Sequence, residues 1–76
     1  MINKLFKIGE VMEYSGLSRQ LINFYTQIEL IKEVKRTPSG HRLYGESVFR
    51  RLKDIKRLQA KGKTLSEIKM IYNGRR

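Results

Sequence analysis

Residues 16–28, Gly16-Leu17-Ser18-Arg19-Gln20-Leu21-Ile22-Asn23-Phe24-Tyr25-Thr26-Gln27-Ile28, decide how the rest of the chain is read. Wound at 3.6 residues per turn, Leu21, Ile22, Tyr25 and Ile28 fall on one apolar stripe that faces a core. The opposite side carries Arg19, Gln20, Asn23 and Gln27. Ser18 stands where a side-chain oxygen accepts from a free N–H of the first turn, and that helix end also favours a phosphate oxygen. Guanidinium and amide groups on the polar side match the hydrogen-bonding edges of bases in a major groove. A plain solvated helix face is the competing reading of the same four residues.

Outward toward the N-terminus, Ile8, Val11 and Met12 recur at helical spacing, after Leu5-Phe6-Lys7 as a short extended lead-in. Gly16 closes this first helix and Ser18 opens the next almost at once, which makes residues 8–28 a helix-turn-helix. Toward the C-terminus, residues 31–44 read as a β-hairpin. Val34 and Leu43 alternate with basic neighbours, and Thr37-Pro38-Ser39-Gly40 forms a four-residue loop in which Pro38 presets one torsion and Gly40 supplies a positive φ. Two strands alone are marginal in water, so the hairpin must lean on the helices. It serves either as a wing, with its tip beside a phosphate backbone, or as a plain connector.

Residues 46–61 form a longer helix with Val48, Leu52, Ile55 and Leu58 on one face and Phe49 beside them. Arg50, Arg51, Lys53, Lys56 and Arg57 occupy its other faces. Gly62 stops it, and Thr64-Leu65-Ser66-Glu67 restarts a helix over 64–73 with a capping box, its stripe being Leu65, Ile68, Ile71 and Tyr72. Lys61 and Lys63 flank the corner as a second basic projection toward phosphate. Asn73-Gly74 ends the last helix, and Arg75-Arg76 reads as a frayed basic tail. The fold class expected is mainly α: a winged helix-turn-helix of four short helices with a small two-stranded β-hairpin wing, in one domain over residues 1–76.

Seventeen Lys and Arg against seven Asp and Glu give a net charge of +10, which points to a polyanionic partner. Residues 1–36 hold six basic and four acidic side chains, and residues 37–76 hold eleven and three, so the attraction lies mostly in the second half. The basic helix could lie on an anionic membrane, but its apolar face is needed for the core of so small a protein. With no cysteine and one histidine, neither a disulfide nor a metal site is expected. No apolar run follows Met1-Ile2-Asn3-Lys4, so neither a signal peptide nor a membrane span is expected, and the chain is placed in the cytoplasm, on the nucleoid. No nucleophile is paired with a base, and no glycine-rich phosphate loop occurs, which argues against an enzyme.

Ile8-Gly9-Glu10-Val11, Gly16-Leu17-Ser18, Phe24-Tyr25 with Leu30-Ile31, and above all Arg36-Thr37-Pro38-Ser39-Gly40-His41-Arg42-Leu43-Tyr44 give the chain a resemblance to a known family. So do Leu58 through Gly62 and Leu65-Ser66-Glu67-Ile68. The sequence resembles the DNA-binding domain of the MerR family of bacterial transcription regulators, from Phe6 to Ile71. The resemblance implies sequence-specific binding of double-stranded DNA, with the second helix in the major groove and the wing on the flanking backbone. By that analogy Arg19, Gln20 and Asn23 face the groove, and Tyr25, Arg36, His41 and Arg42 hold phosphates.

The chain departs from the family pattern at Asn23, where an arginine is common, and at Thr26, where a glutamate is common. Family members also usually continue into a long dimerising helix and a ligand-sensing segment. Neither lies within these 76 residues, so no small-molecule effector is expected for this chain, and a dimer would form through that further helix. A fragment and a small natural protein both fit this.

Among single residues, Tyr25 is divided between core and phosphate contact. Phe24 is expected to pack rather than to touch a thymine methyl. His41 is read as a polar wing residue able to donate to phosphate. Arg42 is assigned to affinity and Asn23 to the choice of site. An architectural or chromosome-segregation protein using the same domain is the alternative function. RNA binding is disfavoured by the lack of a stacking platform of exposed aromatics.

Overall fold

In the computed structural model, which describes residues 4–74, the corner that sets the architecture lies at Gly16. Its φ of 75° is the left-handed conformation that ends a helix without a Cβ clash, and its N–H donates to the Met12 carbonyl at 2.8 Å. Helix α1 (Ile8–Ser15) therefore stops, and α2 (Arg19–Gln27) starts after only three intervening residues, with Ser18 Oγ accepting from the Leu21 N–H at 3.1 Å. Ile22 and Tyr25 are buried, and Leu21 and Ile28 pack beside them, so the apolar stripe falls where the periodicity puts it.

The sheet differs from the expectation of two strands. Phe6–Lys7 forms β1, which pairs antiparallel with β3 (Arg42–Tyr44), and β2 (Lys35–Arg36) pairs with the other edge of β3, in the order β1-β3-β2. The register sets Phe6 opposite Tyr44 and Arg36 opposite Arg42. The lead-in is thus a third strand, and it makes β3 a central one. The hairpin loop closes as expected: Thr37 N–H donates to the His41 carbonyl at 2.8 Å, Gly40 N–H to the Thr37 carbonyl at 2.9 Å, and Gly40 has a φ of 92°. Val34, expected inside a strand, lies before β2 and is 60% exposed.

Helix α3 (Ser47–Ala60) buries Val48, Leu52 and Ile55, and α4 (Leu65–Asn73) buries Ile68. The capping box holds as expected, with Glu67 N–H on Thr64 Oγ1 at 3.1 Å and Thr64 N–H on Glu67 Oε1 at 2.8 Å. Between the two helices, Gly62 N–H and Lys63 N–H reach back to the Gln59 and Leu58 carbonyls at 2.9 and 3.0 Å, which closes α3 with a paired carbonyl cap. Ile71, expected on the apolar stripe, is exposed. The Arg75-Arg76 tail and Met1-Ile2-Asn3 lie outside the described residues.

Aromatic packing joins the sheet to the helices. Phe6 meets Phe49 edge to face at 5.0 Å between ring centroids, and Tyr14 meets Phe49 at 5.8 Å. Arg51, assigned from sequence to a basic face, instead works inside the fold. It donates from Nη1 to the Leu30 carbonyl at 3.0 Å and stacks over the Tyr72 ring at 3.7 Å, tying the end of α2 to α3 and α4.

Helix α2 ends in the same paired cap as α3. Leu30 N–H donates to the Tyr25 carbonyl at 2.9 Å, and Glu29 N–H to the Thr26 carbonyl at 3.1 Å. The left-handed position of this cap is held by Glu29 at a φ of 65°, where a Cβ costs roughly 1 kcal/mol that glycine avoids. Glu29→Gly is accordingly expected to raise the melting temperature by about 4–8 °C, read by thermal circular dichroism. An unchanged or lowered value would show that the exposed carboxylate offsets the backbone strain.

Candidate nucleic-acid interface

Arg36 and Arg42 face each other across the β2–β3 ladder, an arrangement that repels unless an anion intervenes. Glu33 supplies it. Its Oε2 accepts from Arg36 Nε, and its Oε1 accepts from Arg42 Nε at 2.9 Å. These bonds hold the Glu33 carboxyl below its ordinary range, with the Arg36 hydrogen bond the largest cause. The sequence reading did not single out Glu33, because its partners are fixed only by the strand register. The three-residue step from Glu33 to Arg36 was the visible signal.

The same Arg42 reaches from β3 to helix α2, where Nη1 donates to Asn23 Oδ1 at 2.8 Å. Wing and helix are also joined one turn further on. The Tyr44 ring is fully buried, and its hydroxyl lies 2.8 Å from Thr26 Oγ1, which itself donates to the Ile22 carbonyl at 2.8 Å. Thr26 can donate only once, so the Tyr44 hydroxyl is the donor in their shared bond. Threonine at this departure from the family pattern therefore satisfies a buried phenol.

Arg19, Asn23, Arg36, His41 and Arg42 line one open groove of about 620 Å³ between α2, the start of α1 and the hairpin. Lys7 adds a further cation to its wall, while Glu10 and Glu13 contribute carboxylates. Ser18 and Gln20 are exposed on the leading end of α2, outside that lining. Lys61 and Lys63 are exposed at the α3–α4 corner, likewise outside it.

Tyr25 is 4% exposed, and it lines an apolar groove with Leu21 and Leu52 instead. Burial pushes its hydroxyl pKa up. Of the two roles expected for Tyr25, core and phosphate contact, its burial shows the packing one. Phe24 goes the other way: expected to pack, it is 43% exposed beside the polar side of the helix, where an apolar face can meet a thymine methyl.

Residues 6–74 match the family model described as the MerR HTH family regulatory protein. The chain belongs to the MerR family. Among its relatives, the mercuric resistance operon regulatory protein of Bacillus cereus is 41% identical over 63 residues, covering 83% of this chain and 48% of that protein. The HTH-type transcriptional regulator HmrR of Sinorhizobium medicae is 39% identical, covering 82% and 42% respectively. The crystal structure of MtaN, the N-terminus of the Bacillus subtilis multidrug transporter activator, superposes with a TM-score of 0.82 at 32% identity. That match covers 90% of this chain and 64% of MtaN. A MerR-family regulator from Bacillus cereus superposes at 0.81 and 27% identity, covering 96% and 55%. The chain spans about half the length of the curated relatives it matches.

Two outcomes follow for this MerR-family wing. Thr26→Val leaves the buried Tyr44 hydroxyl without its partner and is expected to cost about 1–3 kcal/mol in denaturant unfolding, whereas adding Tyr44→Phe recovers part of that loss. Additive effects would show that the two groups do not act as a pair. The lowered Glu33 pKa makes its contribution to stability present at neutral pH and lost as pH falls through the folded value, below that of an ordinary glutamate. An NMR titration of the Glu33 carboxyl is expected to show that low midpoint, and Arg36→Gln to raise it.

Proposed function

We propose that this chain binds duplex DNA sequence-specifically, as the DNA-reading part of a bacterial transcription regulator. One observation carries the reading: Arg42 of the wing is hydrogen-bonded to Asn23 of α2, so a cationic hairpin and the polar side of the helix border a single groove. Helix α2 enters the major groove with Arg19, Gln20 and Asn23 toward base edges. The Ser18 hydroxyl still carries a proton to donate, because its bond with Leu21 uses only a lone pair. That proton goes to a phosphate at the helix N-terminus. Arg36, His41 and Arg42 take the backbone beside the groove, and Lys61 and Lys63 take phosphates further along it.

Tyr25 supports this surface from beneath. Two such domains held a fixed distance apart would read the halves of a palindromic operator, and the relatives, about twice as long, have the length for a dimerising segment. Among the described residues no helix is long and apolar enough to cross a membrane. A nucleoid location is part of the same proposal and rests on the DNA binding alone. The names of the relatives assign regulation to those proteins, and we read this chain likewise as a regulator's DNA-binding part and not as an enzyme.

Footprinting on bacterial genomic fragments is expected to show short protected sites. Continuous protected tracts would instead favour an architectural or segregation role for the same domain. With about five phosphates neutralised, log affinity is expected to fall against log salt with a slope near −4 to −5. A flat dependence would remove the electrostatic half of the assignment.

A further inference from the structure

We infer that Glu33, Arg42 and Asn23 form a relay through which the wing decides which base edge α2 reads. The inference rests on the DNA-reading assignment above. A guanidinium donates and never accepts, so the amide atom that meets Arg42 Nη1 at 2.8 Å must be the Asn23 oxygen. The other side of the same fork is fixed by Glu33 Oε1 at 2.9 Å, while Arg36 occupies the second oxygen of that carboxylate. The side chains of Arg42 and Glu33 are only 24% and 23% exposed, which shields the pair from water more than an ordinary surface ion pair. Asn23 is half-buried beside them.

An asparagine that reads adenine presents its oxygen and its NH₂ together to one base edge. With the oxygen turned to the wing, Asn23 keeps its Nδ2 hydrogens for the groove. The edge that suits two donors is an acceptor edge, guanine N7 and O6 or thymine O4. Glu33 thereby acts as a positioning residue: it touches no base and sets specificity through Arg42.

Selection of binding sites from randomised duplexes by the 76-residue chain tests this, with Asn23→Ala locating the base position concerned. The wild-type chain is expected to enrich guanine or thymine there. Arg42→Met keeps the aliphatic stem and releases the amide, shifting the preference toward adenine by about tenfold. Arg42→Lys keeps the phosphate-seeking charge but not the fork, so it is expected to shift the same position, with any loss of affinity spread evenly over all sequences. Glu33→Gln is expected to give a smaller shift in the same direction.

In the DNA-free protein, the Asn23 side-chain NH₂ resonances are expected to move in Arg42→Met and Glu33→Gln while the backbone spectrum stays folded. Adenine enriched by the wild-type chain, or a ranking unchanged by Arg42→Met and Arg42→Lys, overturns the relay and leaves the DNA-reading assignment standing. A wild-type chain that enriches no sequence overturns that assignment, and the inference with it.

Discussion

A two-stranded hairpin buries too little surface to keep its shape in water, and a wing must be rigid to hold a fixed position beside a helix. Tyr44 resolves this constraint. It lies in the central strand, fully buried, with Phe6 opposite it in β1 and its hydroxyl bonded to Thr26 of α2. Burying a phenol without a partner would be costly, so the Thr26 bond makes one docking geometry better than its neighbours. Because Tyr44 is fixed, Arg42 two residues earlier projects from the same face of β3 and meets Asn23 two residues before Tyr25. The interface is a consequence of that anchor.

The parts of this fold that were legible in sequence are those set by short-range rules. Helical periodicity placed Val11, Ile22, Val48, Leu52, Ile55 and Ile68 in the core. Local hydrogen-bonding chemistry placed the Ser18 cap, the Thr64 capping box and the Thr37–Gly40 turn. Stripe width was harder to see. Periodicity gives the direction of an apolar face but not where the neighbouring elements stop covering it, and Phe24 and Ile71 sit at those edges. The extended lead-in was read at Leu5-Phe6-Lys7, but its pairing as β1 was not, because two residues are too few for an alternation to show.

The polar contacts were the least legible, for a different reason. Glu33 acquires its role only after the strand register sets Arg36 against Arg42, and Arg42 meets Asn23 across 19 positions of sequence. Asn23 and Thr26 were visible as departures from the family pattern, yet their partners are on another element. Each departure finds a complementary partner within the family-like run: a short hydroxyl reaches the Tyr44 phenol, and an amide oxygen accepts from the Arg42 fork. Pair chemistry of this kind depends on register, which one sequence does not display.

The distribution of charge then separates attraction from discrimination. At the wing, Glu33 cancels part of the charge of two arginines and fixes their direction, a poor arrangement for drawing in a polyanion but a good one for presenting donors in set places. On α3, Arg50, Lys53 and Lys56 are exposed, and the charge of the second half of the chain stays largely uncompensated there. Long-range attraction needs only net charge and tolerates mobile side chains, whereas base readout needs fixed donors. Removing Glu33 would therefore raise the net charge while loosening the donors. A chain selected for affinity alone would have no use for a carboxylate at that position; between two arginines it is what the proposed reading role requires, a charge given up in exchange for donors held in place.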